Sequence, residues 1–327
     1  MHVMIIGAAG MLGRKLASRL VARGEVAGRP IDLLTLADVI EPSQCGPGIR
    51  TLTADVSSLG DAAELVAGRP DVIFHLAAIV SGEAEADFEK GYRINLDGTR
   101  HLLEAIRSAG AQGPYCPRLV FSSSLAVFGA PFPEEIPDEF FATPSTSYGT
   151  QKAIGELLLA DYSRRGFIDG IAIRLPTICI RPGKPNKAAS GFFSSILREP
   201  LVGEEAVLPV PESVRHWFAS PRAAVGFLEH AAGIDLSGLG ARRSLTMPGV
   251  SATVGEEIEA LRRFGGERAV RLIRRQPDET IARIVLGWPQ RFDPKAALAL
   301  GFRAEPDFDA IVRVHIEDEL AAATGPA

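Results

Sequence analysis

The chain is short of cysteine, has no surplus of positive charge and holds no long apolar run. Each shortage removes a class of function. Only Cys45, Cys116 and Cys179 occur among 327 residues, none at the close spacing that metal sites or dithiol motifs need, so they read as reduced core or surface thiols and no metal is expected. Thirty-five basic against forty acidic side chains give a net charge of −5, without the basic field that holds a phosphate backbone, so nucleic acid is not an expected partner. No apolar segment approaches the roughly 20 residues that span a bilayer, so no membrane partner is expected either. Met1 runs straight into an apolar strand, without the basic start and cleavage pattern of a secretory signal, and the reading is a cytoplasmic protein. Internal repeats and low-complexity tracts are missing as well.

What remains is a soluble, core-forming composition, 46% hydrophobic and 23% charged, in a chain long enough for a main domain with a smaller one grown from it. The first half alternates aliphatic runs with stretches of helical period. That pattern predicts an α/β fold with a parallel sheet covered by helices on both faces. Strands are expected at residues 3–6, 32–37, 50–53, 72–76, 119–122 and 170–175, and helices at 11–23, 87–108 and 147–165. In the first of these helices Leu12, Leu16, Leu20 and Val21 form one apolar stripe. Residues 181–211 break this texture with prolines, glycines and a polar stretch, so a loop-rich cap is expected to begin there. Helical patterns return at 221–232, 253–264, 278–286, 294–300 and 308–320, with a strand at 244–247. The last seven residues read as a frayed tail.

Gly7-Ala8-Ala9-Gly10-Met11-Leu12-Gly13 lies between an apolar strand and a helix. Backbone amides meet a pyrophosphate there only where no Cβ intervenes, and the helix N-terminus adds a favourable dipole. Asp38 ends the second strand, where a carboxylate accepts hydrogen bonds from ribose hydroxyls. Val39 and Ile40 supply no cation for a 2′-phosphate, so NAD is the expected cofactor. Asp55 and Val56 stand after the third strand, placed to close over the adenine.

Tyr148 and Lys152 stand four residues apart on one helix face. A phenol with a pKa near 10 becomes a base at neutral pH only beside a positive charge, which Lys152 and the nicotinamide supply. Ser124, ending the run Phe121-Ser122-Ser123-Ser124, is placed to hydrogen-bond the substrate oxygen whose proton Tyr148 removes.

These residues together resemble the extended short-chain dehydrogenase/reductases, the group containing sugar-nucleotide epimerases and dehydratases, over nearly the whole chain. The motifs stand as Gly7-x-x-Gly10-x-x-Gly13, Asp55-Val56, His75-Leu76-Ala77-Ala78, Asn95-x-x-Gly98-Thr99, Phe121-Ser122-Ser123-Ser124 with Val127-Phe128-Gly129, and Tyr148-x-x-x-Lys152. The resemblance implies a doubly wound parallel sheet of Rossmann type at 1–178 and 211–238. It also implies a smaller, discontinuous substrate-binding α/β cap at 179–210 and 239–327, with the substrate held between the two. It implies that Lys152 also holds the nicotinamide ribose, that Ala77 and Ala78 line the cofactor, and that Ser124 is the catalytic serine. Met11, Leu12, Leu76, Asn95, Ser122, Tyr148 and Pro176 join the cofactor-contacting set on the same ground. For Asn95 the alternatives are ordering a water or pinning the strand beside the site, and the second is favoured. A homodimer, formed through the two long helices, is implied by resemblance alone.

The chain departs from the family's dehydratases, which carry Thr-Asp-Glu where Ser124-Leu125-Ala126 stands here, so elimination of water is disfavoured. The segments around Arg181–Ser190 and Ser213–Arg222 look like a branch that oxidises a short sugar acid. A small acid without a nucleotide handle needs fixed donors for its carboxylate. Arg174, Lys184, Asn186, Ser190, Arg215 and Arg222 are the candidates, and Ser124, Asn186, Ser190, Arg215 and Arg222 form the expected substrate set. The expected reaction is NAD-dependent oxidation of a secondary hydroxyl to the 2-oxo acid. The alternatives are a sugar-nucleotide epimerase that restores its NAD within each cycle, and a sensing or scaffolding protein, against which the retained Tyr148 and Lys152 speak. His75 reads as a strand-end residue of the cofactor cleft, His216 as either a cavity residue or part of an aromatic cluster, and the acidic run 83–89 as a solvated helix start.

Overall fold

A computed structural model of the chain describes residues 1–183 and 189–321. They form two compact units. The first comprises Met1–Val127, Pro144–Leu175 and Val225–Thr246, the second Phe128–Thr143, Pro176–Ala224 and Met247–Ala327. The division differs from the expected boundaries. Residues 211–224 go with the second unit, whereas the strand near 244 goes with the first.

The first unit is built on seven strands: β1 (His2–Ile6), β2 (Leu33–Asp38), β3 (Ile49–Thr53), β4 (Val72–His75), β5 (Arg118–Ser124), β6 (Asp169–Leu175) and β7 (Ser244–Thr246). Their order is β7-β6-β5-β4-β1-β2-β3, and every pairing is parallel. This is the doubly wound Rossmann arrangement, whose strand order reverses between β1 and β4. Ligands of such sheets bind beyond the carboxyl ends at that reversal. The strands on either side are apolar runs, buried on both faces as parallel pairing under helices requires. Met4, Ile6, Ile73, Leu119 and Phe121 meet Leu102, Ile106 and Leu159 in one core.

Helix α1 (Met11–Arg23) buries Leu16 and Leu20 of its expected stripe, whereas Leu12 is half-buried and Val21 is exposed, and it ends at Gly24 in the left-handed region, whose N–H reaches the Leu20 carbonyl. A helix that the periodicity did not single out, α2 (Leu59–Ala67), is capped by Ser58 and buries Ala62, Leu65 and Val66. The long helix expected over 87–108 is interrupted. A short turn (Phe88–Gly91) passes into a π-helical segment, Tyr92–Asp97, before α3 (Gly98–Ala111) begins. Side-chain periodicity does not encode the extra residue of a π turn. Helix α4 (Ser147–Arg164) is capped by Thr146, and its Gly155 lets the ring of Phe121 approach where a Cβ would lie 2.9 Å away.

The second unit holds a three-stranded sheet of Thr177–Ile178, Arg215–Ala219 and Val250–Thr253, parallel then antiparallel. Ala206–Leu208 pairs with Ile273–Arg275, and Ile136–Pro137 with Phe292–Asp293. The stretch expected to be loop-rich contains α5 (Gly191–Leu201), which buries Phe192, Phe193, Ile196 and Leu197. Helix α6 (Pro221–Gly233) agrees closely with expectation. Helix α7 (Val254–Val270) starts in a Thr253/Glu256 capping box and breaks at Gly266, where φ is +70°. Phe218, Ile258, Leu261, Ile311 and Val312 complete this unit's core. No described helix is long and apolar enough to cross a membrane. The terminal residues from 322 onward, read as a frayed tail, lie outside the described residues.

Candidate active site

The glycine loop, the acid after β2 and the Ser, Tyr and Lys residues all lie in the first unit. Gly7 leaves β1 at φ +94°, and a Cβ there would stand 2.6 Å from the Ala77 nitrogen. The loop therefore rests on the backbone of Leu76-Ala77, which is itself tied down because the Leu76 N–H donates to Ile6 at 2.8 Å. A Cβ at Gly13 would fall 2.2 Å from the Gly7 carbonyl, so α1 starts flush against the loop. Gly10 differs from both. Its backbone is extended, it offers no side-chain cap, and a Cβ would approach only the Gly7 oxygen, at 3.3 Å. That bare N-terminus, with Met11 and Leu12 in its first turn, is a cradle for an anion.

Asp38 belongs to the same cradle. Its Oδ2 accepts from the Ala9 N–H at 2.9 Å, which ties the end of β2 to the loop. Val39 and Ile40 beyond it are exposed and apolar. Donor loop, helix terminus and carboxylate thus fit NAD. Asp55 is engaged locally: it accepts from Ser57 through N–H and Oγ and pairs with Arg93, while Val56 is buried. Asn95, in the π segment, accepts from the Ile79 N–H at 2.9 Å and donates to Gln151 at 2.8 Å. It pins the loop after β4 to α4.

Tyr148 and Lys152 sit on successive turns of α4. A Cβ at Gly149 would lie 2.0 Å from the Ala126 carbonyl, so the helix start that carries Tyr148 presses on the turn following Ser124. The Ser124 hydroxyl accepts from the Ala126 N–H at 3.2 Å. Glu85, from the acidic run, accepts the Ser147 N–H at 2.9 Å and so caps the same helix. Lys152 is buried. Its Nζ donates to the Ser122 carbonyl at 2.8 Å, 4.7 Å from the Phe121 ring centre and 5.8 Å from that of Tyr148. Burial pushes its pKa down to about 7, against the opposing pull of the Glu156 carboxylate. The Ser122 hydroxyl donates to the His75 carbonyl at 3.1 Å. His75 bonds Thr99 at 3.0 Å and is driven down to a pKa of about 3 by burial and by Lys152, which makes it a neutral strand-end residue.

Sequence reasoning passed over Glu156. The Arg174 guanidinium, named above among the candidate carboxylate donors but outside the expected substrate set, grips Glu156 through Nη2 at 2.7 Å and Nε at 2.9 Å. A lone arginine following the buried run 171–173 of strand β6 and a lone glutamate on the buried face of α4 were the available signal, since buried charges need partners.

Of the remaining candidates, Pro176, Ser190, Arg215 and Arg222 lie in the second unit. Pro176 directly follows β6. The Ser190 hydroxyl accepts from Arg181 at 2.8 Å. Arg215 donates to the Ser251 carbonyl at 3.1 Å and pairs with Glu256 at 3.3 Å. Arg222 is held by Glu317 and Asp318. Lys184 and Asn186 lie outside the described residues. His216 belongs to an aromatic nest of Phe193, Phe218 and Trp288, bonded to Thr177 at 2.6 Å, and burial lowers its pKa to about 4.

The sheet reversal, the glycine cradle and Asp38 at its edge define a dinucleotide-binding fold of the Rossmann type, and comparison with known proteins agrees. The model of the NAD dependent epimerase/dehydratase family matches residues 3–219, and the chain belongs to that family. It is an NAD-dependent dehydrogenase of the extended short-chain dehydrogenase/reductase type. D-erythronate dehydrogenase of Cupriavidus necator is 46% identical over 325 residues, covering 97% of this chain and 98% of the relative. Its namesake in Haemophilus influenzae is 45% identical over 322 residues, covering 98% and 100%. A crystal structure described as the nucleoside-diphosphate-sugar epimerase from Agrobacterium tumefaciens is 66% identical, with a TM-score of 0.94 over 98% of this chain and 95% of that one.

Proposed function

We propose that the chain oxidises a secondary hydroxyl of a short sugar acid, with D-erythronate as substrate and the 2-oxo acid as product. The observation that carries the reading is the Tyr148, Lys152 and Ser124 arrangement beside a cradle fit for NAD. Full-length similarity to two D-erythronate dehydrogenases supports the choice of substrate. Lys152, fixed by the Ser122 carbonyl, provides the positive charge that favours the Tyr148 phenolate. The Tyr148 oxygen takes the hydroxyl proton while the Ser124 hydroxyl holds the same substrate oxygen. When bound, NAD supplies the acceptor for the hydride that leaves the carbon. The cofactor contacts assigned to Gly7, Gly10, Met11, Leu12, Gly13, Asp38, Asp55, Val56, Leu76, Ala77, Ala78, Asn95, Ser122, Tyr148, Lys152 and Pro176 are part of this proposal.

For the substrate carboxylate, Ser190 offers a hydroxyl that accepts from Arg181, and Arg215 a guanidinium paired with the one carboxylate of Glu256 among the described residues. Arg222, neutralised by two carboxylates, is the weakest of the set. A cytoplasmic homodimer completes the reading on family resemblance, and sedimentation checks the dimer.

The test is NADH formation from NAD with a panel of four- to six-carbon aldonates, run beside UDP-sugars assayed for epimerisation. NADH accumulating with D-erythronate is the expected result. Epimerised sugar nucleotide without NADH overturns the reading.

A further inference from the structure

Tyr148, Lys152 and Glu156 follow one another at four-residue intervals along α4 and so share one face. Glu156 is only 5% exposed and fully engaged. Its Oε1 accepts from the Ser123 hydroxyl at 2.5 Å and from Arg174 Nε, and its Oε2 accepts from Arg174 Nη2. Ser123 and Arg174 are register partners across β5 and β6. One carboxylate therefore ties α4 to two adjacent strand ends. Ser123 stands between Ser122, whose carbonyl fixes Lys152, and Ser124.

We propose that Glu156 is a positioning residue of the site: clamped by Arg174 and Ser123, its carboxylate holds the strand end that carries Ser122 and Ser124 and favours the charged form of Lys152. The inference rests on the catalytic roles proposed for Tyr148 and Lys152. The charged and titratable groups around Lys152 are Glu156 and Tyr148 on its own helix, His75 on β4 and, behind Glu156, Arg174 on β6; Phe121 and the Ser122 carbonyl face it from β5. Glu156 is the one carboxylate in that set. Without it, an ammonium sealed from water sits beside an unbalanced guanidinium.

The test reads the ionisation of Tyr148 in the full-length protein as the tyrosinate absorbance that disappears in Tyr148→Phe. Only four tyrosines occur, and burial raises Tyr115 and lifts Tyr162 to about 12, which keeps those two out of the window. In Glu156→Gln, which preserves shape, Lys152 loses its proton earlier and the Tyr148 midpoint rises by about one pH unit. Arg174→Gln, which keeps a donor for Glu156 but removes the positive charge, moves the midpoint the other way. Glu156→Asp restores most of the original midpoint. Shifts of equal sign in the two Gln variants, or an unmoved midpoint with reduced turnover, overturn the proposal and leave Glu156 a packing residue. A Tyr148→Phe protein that still forms NADH overturns the underlying catalytic reading instead.

Discussion

Glu156 in the first unit and Glu257 in the second are both removed from water, under opposite terms. Glu156 meets an arginine and a serine at hydrogen-bond distance. Glu257, on α7, is fully buried, and among the described residues neither of its oxygens meets a donor. Burial drives the Glu257 pKa well above the ordinary carboxylate range, so it persists as a neutral acid. The histidines make a milder version of the contrast. His75 lies under the charge of Lys152, whereas His216 is stacked among aromatic rings. In the first unit the buried carboxylate keeps its charge because a guanidinium and a hydroxyl meet it. In the second the unpartnered one is driven toward its neutral form.

The change that breaks the first unit's side of this contrast most sharply is Tyr148→Phe. Turnover with D-erythronate should fall by roughly a thousandfold, as loss of a general base does. NAD binding, followed by protein fluorescence, should persist. Next comes Gly13→Ala. With a Cβ forced onto the Gly7 carbonyl, it should cost about 3 kcal/mol of stability and lose NAD binding, measured by denaturant titration and calorimetry. The matched change in the second unit, Gly266→Ala, meets open space and strains only the backbone, held there at φ +70° and ψ 180°, at about 2 kcal/mol.

Glu257→Met sharpens the other side, and should stabilise by about 1 kcal/mol because a buried group without partners is removed. The sign of its pH dependence follows from the raised folded-state pKa. Below the unfolded glutamate pKa both states hold the proton and the penalty is smallest. As pH rises the unfolded state ionises first, so wild-type stability declines toward the folded pKa. The advantage of Glu257→Met should therefore widen between mildly acidic and mildly basic denaturation curves, with activity unchanged. An advantage that narrows with rising pH would mean that Glu257 is charged in the fold.

The contrast also explains what the sequence made legible. Gly7, Gly13, Asp38, Tyr148 and Lys152 stand out because backbone geometry or helix spacing confines each residue type to its position. The π turn at Tyr92–Asp97 changes the path of the chain without changing its hydrophobic pattern, so a single long helix was the natural reading. Helix α5 was hidden by the prolines around it, and Pro200 is in fact tolerated in its last turn. The Glu156–Arg174 pair joins residues on different elements, a partnership that only the folded sheet creates. Arg174 could therefore be counted as a candidate carboxylate donor until its partner was visible.

Strand β7 also bears on how the molecule is made. It is the last of the seven strands to be synthesised, ending at residue 246 of 327, and it covers the flank of β6. Between the emergence of residues 169–175 and that of residues 244–246 from the ribosome, the nascent sheet presents β6 as an open edge with unpaired amides, a template for strand addition by other chains. Vectorial synthesis thus leaves the nucleotide-binding unit unsealed until most of the chain has emerged. A fragment stopped after Leu175 would carry that open flank permanently.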